Sequence, residues 1–68
     1  NDYNVADLSK AISELEEKYK VAITYFYYYG HNADETAKLM GVSRNAVYKY
    51  LRKAEQILFE KLRGDISE

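Results

Sequence analysis

Six side chains with the chemistry to contact nucleic acid fall on the outer face of one predicted helix. They are Arg44, Asn45, Tyr48, Lys49, Arg52 and Lys53. Basic side chains pair with phosphates, an asparagine amide matches the edge of adenine, and a guanidinium group matches the edge of guanine. This set predicts a surface that reads DNA, although a charged outer face is also the ordinary composition of a surface helix.

Residue sets typical of catalysis or metal binding do not accompany these six side chains. The 68-residue sequence has no cysteine and one histidine, His31, which excludes disulfides and argues against a zinc site. Adjacent acids such as Glu16 and Glu17 do not share a helix face, and the sequence has no glycine-rich phosphate loop. We therefore predict a non-enzymatic protein without a cofactor. His31 is predicted to be a loop residue, with phosphate contact as the alternative.

The net charge of −1 conceals a strong separation of charge along the sequence. Residues 1–35 sum to −4, residues 36–63 to +5 and residues 64–68 to −2. Between residues 43 and 54 there are four basic residues and no acidic one, as expected of a nucleic-acid binder with one basic face. No apolar run is long enough to span a membrane and no signal peptide is recognised, so we predict a cytoplasmic protein.

Two amphipathic stretches precede Gly30. Apolar residues recur at three- and four-residue spacing, which is typical of a helix face. The first stretch has Leu8, Ile12 and Leu15, and the second has Tyr19, Ala22, Ile23, Phe26 and Tyr27. Because acidic residues favour helix N-termini, a second helix is predicted to begin near Glu16 or Glu17. One continuous helix is the alternative.

A tight turn at residues 41–43 separates two further predicted helices. Asn32 and Glu35 have the spacing of a capping box, which predicts a short helix over residues 33–40. Gly41 is predicted to end that helix, and Ser43 to cap the next one. Two helices joined by a three-residue turn have the form of a helix-turn-helix.

The last predicted helix has a continuous apolar stripe that ends at Gly64, which is predicted to stop the helix as Gly30 and Gly41 do. The stripe consists of Val47, Leu51, Ala54, Leu58 and Leu62. The sequence thus predicts an all-α fold, a small bundle of about four helices containing a helix-turn-helix, with residues 1–68 as a single domain.

With these features in order, the sequence resembles the fourth domain (region 4) of bacterial sigma-70-family factors, most strongly the extracytoplasmic-function group. The resemblance covers residues 5–63, and the matching residues are Leu15–Tyr19, Tyr27, Gly30, Asp34–Ser43, Val47 and Leu51–Ala54. The sequence departs from the family at Glu16, where proline is common, and at Tyr50, where arginine is common. It also departs across residues 24–29, where aromatic residues replace basic or aliphatic ones.

The resemblance implies recognition of the −35 promoter element, with the helix over 43–62 in the major groove. It implies base-proximal positions for Arg44, Tyr48, Lys49 and Arg52, and a phosphate-proximal position for Lys53. It also implies that the start of the 33–40 helix meets the DNA backbone, which fits the affinity of helix N-termini for phosphate. Our candidates for that contact are Asn32 and Thr36.

The partners implied by the resemblance are double-stranded promoter DNA and the RNA polymerase core, through the flap of its β subunit. Many family members are also held inactive by an anti-sigma factor. We expect a monomer at the bacterial nucleoid. We also expect a fragment of a longer chain, because the polymerase-binding and −10-melting parts of a sigma factor are missing.

Two alternative functions stay open at the level of sequence. One is a LuxR-type or other helix-turn-helix regulator, but that domain usually breaks after its recognition helix, whereas the stripe here is continuous. The other is a sigma-like module that binds mainly protein, motivated by the acidic isoelectric point and the aromatic cluster at residues 25–29. Within that cluster we predict that Tyr27 faces the core and that Tyr28 and Tyr29 are partly exposed. Tyr50 is predicted to pack partly inward.

Overall fold

The computed structural model describes the backbone of residues 5–67 and the side chains of residues 7–63. These residues form four α-helices, and a π-helix over Thr24–Tyr28 continues the second of them. The α-helices are α1 (Val5–Ser13), α2 (Glu17–Ile23), α3 (Ala33–Met40) and α4 (Arg44–Ser67). The predicted all-α bundle with a helix-turn-helix is confirmed for the described residues.

A short break separates α1 from α2. The Leu15 backbone N–H donates to the Ile12 carbonyl at 3.0 Å, a tight turn that closes α1. Glu16 is then extended, with ψ of 154°, and Glu17 begins α2 with its acidic side chain in the first turn. The predicted start near Glu16 or Glu17 is confirmed, and the alternative of one continuous helix is wrong.

The π-helix begins at Thr24, where α2 ends. The Thr24 hydroxyl donates to the Lys20 carbonyl at 2.8 Å, a bond of the type that bends helices. The Tyr29 N–H then reaches five residues back, to the Thr24 carbonyl at 3.0 Å, which is the π-helical spacing. Gly30 ends the segment with φ of +77°, as predicted.

This wide turn overturns the predicted position of Tyr27, whose side chain is 57% exposed instead of facing the core. The prediction extended the α-helical spacing from Ile23 to Tyr27. In a π-turn, residues four apart no longer lie directly above one another, so the ring of Tyr27 moves off the core face. Tyr28 and Tyr29 are exposed, in agreement with the prediction.

The turn between α3 and α4 is fixed by backbone geometry. Gly41 adopts the left-handed conformation, with φ of +73°, and the Val42 N–H donates to the Ala37 carbonyl at 3.0 Å. The Ser43 hydroxyl then accepts the Ala46 N–H at 3.1 Å and caps α4. The direction in which α4 leaves α3 is therefore set by three consecutive residues.

The core lies along one side of α4, against which α1, α2 and α3 all pack. It consists of Leu15, Ala22, Ile23, Ala33, Ala37, Val47, Leu51 and Ala54. Half of these residues are alanines, so the helices approach closely but each contact buries little apolar area. Tyr50 packs against this core from its edge, as predicted, and its ring meets that of Tyr19 edge-on at 6.0 Å.

Two predictions about the ends of the bundle are wrong. Leu8 is exposed rather than inward, because the buried residues at this end of the bundle are Ala11 of α1 and Leu15, which follows α1, and Leu8 lies beyond them. Gly64 does not stop α4, which continues to Ser67. Glycine in a helix interior costs only about 1 kcal/mol, and no proline follows that would forbid continuation.

Candidate nucleic-acid interface

The first three turns of α4 present the six predicted contact residues together. Val47, Leu51 and Ala54 are buried against the other helices, so they fix which side of α4 faces outward. Arg44, Asn45, Tyr48, Lys49, Arg52 and Lys53 are all exposed. These six side chains therefore lie on the solvent-facing side of α4.

Three cations on this face are free of acidic partners. Lys49, Arg52 and Lys53 form no ion pair with any residue whose side chain the structure describes. They are therefore available to pair with an external anion. Three of the four basic residues between positions 43 and 54 are thus available on the surface.

Arg44 differs from these three because it is tied to α3. Its guanidinium Nη1 lies 3.5 Å from the Asp34 carboxylate, across the turn, and both side chains are largely exposed. Exposed ion pairs of this kind contribute about 0–1 kcal/mol. A DNA phosphate could therefore replace Asp34 as the partner of Arg44 at small cost.

Tyr48 lies at one edge of the face and is 47% exposed, so it is not a core residue. It lines an open depression of about 260 Å³ together with Arg52 and Glu55 of the same helix and Tyr27 of the π-helix. The ring thus offers an apolar surface for a base or a sugar beside a free guanidinium group.

The start of α3 has the predicted capping box. The Glu35 N–H donates to the Asn32 side-chain oxygen at 2.8 Å, and the Asn32 N–H donates to the Glu35 carboxylate at 3.2 Å. These bonds use two of the four free amides at this helix start and leave those of Ala33 and Asp34. The NH₂ group of the exposed Asn32 side chain stays available to donate, so its phosphate contact remains a prediction.

The structure corrects the predicted position of Thr36, which was named as a candidate for phosphate contact. Its side chain is fully buried, so it cannot reach a phosphate in this fold. Ala33, Thr36, Ala37 and Met40 follow the spacing of one helix face, and that face of α3 packs inward. The same spacing is visible in the sequence and would have identified Thr36 as a core residue.

His31 lies in the loop before α3, as predicted. Its Nδ1 is 3.4 Å from the Glu35 carboxylate, and its ring lies near that of Tyr25. The half-buried imidazole is thus surrounded by the loop and the aromatic cluster. Whether it also contacts phosphate stays a prediction.

The sequence did not reveal three residues that border the interface. Asp34 pairs with Arg44, and the Tyr27 hydroxyl donates to the Glu55 carboxylate. Donation to Glu55, with smaller effects from burial and from the Glu55 charge, raises the pKa of the Tyr27 phenol above its ordinary value. Arg52 and Glu55 are three residues apart, so the sequence indicates that they are neighbours on a helix. Nothing in the sequence indicates that Tyr27 lies beside them.

Comparison with known proteins identifies the domain. The family model described as Sigma-70, region 4 matches residues 6–58, the greater part of the chain. Searches of curated proteins and of solved structures gave no match. Within the described part of the chain, every helix is too short or too polar to cross a bilayer. The family match favours the sigma interpretation over the LuxR-type alternative.

Proposed function

Because this chain belongs to the sigma-70 region 4 family of DNA-binding domains, we propose that it recognises the −35 element of a bacterial promoter. In this proposal the first turns of α4 enter the major groove, and the domain acts within a sigma factor of RNA polymerase to start transcription. Arg44, Asn45, Tyr48, Lys49 and Arg52 lie near base edges, and Lys53 contacts phosphate.

The observation that supports this proposal most strongly is the free basic face of α4. A major groove about 12 Å wide accepts one α-helix. Lys49, Arg52 and Lys53 lie on the outer side of such a helix and are not neutralised by described neighbours. The exposed Asn45 amide adds a group that can pair with adenine.

The start of α3 would then rest on the DNA backbone beside the groove. The amides of Ala33 and Asp34 point out of the helix start, and the Asn32 side chain is exposed beside them. Asp34 opposes phosphate by charge, but Arg44 lies close enough to compensate. These contacts would fix the register of α4 without reading sequence.

We further propose that the polymerase β flap docks in a groove formed by α1 and the α2–π segment, which reaches the edge of the DNA interface at Tyr27. An open groove of about 540 Å³ runs between α1 and the α2–π segment, lined by Ile12, Ile23, Thr24, Tyr27 and Tyr28 among others. Its mostly apolar lining suits an apolar segment of a protein partner. An anti-sigma factor would compete for the same groove, and the domain itself would be a monomer.

The charge distribution predicts how the isolated domain binds. Its total charge is −1, and the basic residues concentrate in one segment. Non-specific DNA affinity depends on the number of phosphates neutralised, so the isolated domain should bind random DNA weakly. The remainder of the polymerase would supply much of the affinity at a promoter.

The salt dependence of DNA binding tests the phosphate part of this proposal. Replacing Lys53 with alanine should weaken binding about equally for all sequences. It should also reduce the slope of log affinity against log salt by about 1, because one fewer counterion is released. The measurement is fluorescence anisotropy of a labelled duplex between about 50 and 200 mM salt.

Lys10→Ala is the matched control, since it removes the same charge from a lysine beside Lys61 and Leu62, toward the far end of α4. Its slope should equal that of the wild type. Equal slopes for Lys53→Ala and the wild type would remove Lys53 from the interface. Affinity that does not change with salt would contradict phosphate contact altogether.

A further inference from the structure

Arg52 is unpaired although an acidic residue follows it at helical spacing. Residues three apart on a helix are neighbours, and opposite charges at that spacing attract. Glu55 lies three residues after Arg52 and lines the same depression. Within residues 7–63, however, the Arg52 guanidinium group forms no ion pair.

Glu55 is instead hydrogen-bonded to Tyr27 of the π-helix. The Tyr27 hydroxyl donates to the Glu55 carboxylate, across 28 positions in the sequence. The ring is held in place by an edge-on contact with Phe26 at 5.0 Å, and Phe26 packs against the core. A phenol is protonated at neutral pH, and because this contact raises the pKa of Tyr27 further, its hydroxyl remains a donor.

We propose that Tyr27 is a positioning residue for DNA binding, because its hydroxyl holds the Glu55 side chain through Oε2 and so leaves Arg52 free to face the groove. This inference rests on the proposed function. The π-helix then has a role in DNA binding as well, because its wide turn brings the Tyr27 ring out of the core and toward Glu55 of α4.

Loss of the hydroxyl would release Glu55 toward Arg52. The resulting exposed ion pair would have to break before Arg52 could contact a base. Pairs of this kind are worth up to about 1 kcal/mol, which corresponds to an affinity loss of about two- to fivefold. The loss of DNA affinity on removing the Tyr27 hydroxyl therefore depends on the charge at position 55. A direct contact between Tyr27 and DNA would not show this dependence.

Four chains test the proposal: the wild type, Tyr27→Phe, Glu55→Gln and the double variant. The probe is a duplex that the wild-type chain selects from a random-sequence pool, and the readout is its dissociation constant. Tyr27→Phe should weaken binding about two- to fivefold when Glu55 is present. It should have no effect in the Glu55→Gln background. Phenylalanine keeps the ring contact with Phe26, and thermal melting of each chain reports on folding.

The outcomes separate this inference from the proposed function. Equal losses in both backgrounds would overturn it, because Tyr27 would then act through DNA contact or through the fold. No loss in either background would also overturn it while the proposed function stands. If the wild-type chain selects no duplex at all, the proposed function fails and this inference fails with it.

Discussion

Replacing Leu51 with alanine is expected to lower the free energy of unfolding by about 2–5 kcal/mol. The Leu51 side chain is 5% exposed and lies in the middle of the buried stripe of α4. Its neighbours in the core include several alanines, which are too small to fill the cavity that truncation leaves. A domain of this length has a free energy of unfolding of about 3–10 kcal/mol, so the variant should lose a large part of it. Urea denaturation followed by circular dichroism measures this change.

Leu39→Ala is the matched control, because it makes the same chemical change at a side chain that is 52% exposed. Its effect should stay within about 0.5 kcal/mol. Similar losses for the two variants would contradict the assignment of Leu51 to the core and of Leu39 to the surface. The orientation of the basic face of α4 would then lose its main structural support.

Replacing Arg52 with alanine is expected to weaken binding to a selected promoter duplex by about 1–3 kcal/mol, or about 5- to 150-fold in Kd. Arg52 is exposed, unpaired among the described residues, and close to the centre of the outward face. If it pairs with a guanine edge, the variant should also tolerate substitution at one base pair that the wild type requires. Competition binding with single-base-pair variants of the duplex measures both effects.

Arg63→Ala supplies the control for Arg52. Arg63 belongs to the same helix face about three turns further on, roughly 16 Å along the axis, and its guanidinium group lies over the Phe59 ring at 5.5 Å. Its removal should leave the base preference unchanged. An Arg52 variant with wild-type affinity and wild-type preference would remove this residue from the groove.

Local signals in the sequence were sufficient for most of the helix boundaries. Asn32 and Glu35 specify a capping box through their own side chains, and Gly41 specifies a left-handed residue through its lack of a Cβ. Such features need no distant partner, so the helix over 33–40 and the following turn were predicted correctly. The outward face of α4 followed because Val47, Leu51 and Ala54 identify the inward one.

The errors concern the spacing of residues along a helix. For Tyr27 the α-helical spacing was extended too far, and for Thr36 it was not used. Tyr27 was placed in the core by α-helical spacing, but the helix changes to the wider π-turn at Thr24, before that residue. Thr36 was assigned to phosphate because it lies near the start of the 33–40 helix, although its spacing from Ala33 and Ala37 marks it as buried. The contact between Tyr27 and Glu55 joins two helical segments, so it depends on tertiary packing that the sequence does not display.

The most direct test of promoter recognition by α4 is a titration of the isotope-labelled chain with a duplex selected from a random-sequence pool, followed by NMR. We expect the largest changes in backbone amide shift at residues 44–53, and smaller ones at residues 32–34 at the start of α3. A mismatched duplex should give weaker changes at the same positions. Changes confined to α1 and the π-helix, with α4 unaffected at saturating duplex, would contradict the proposed recognition of DNA by α4.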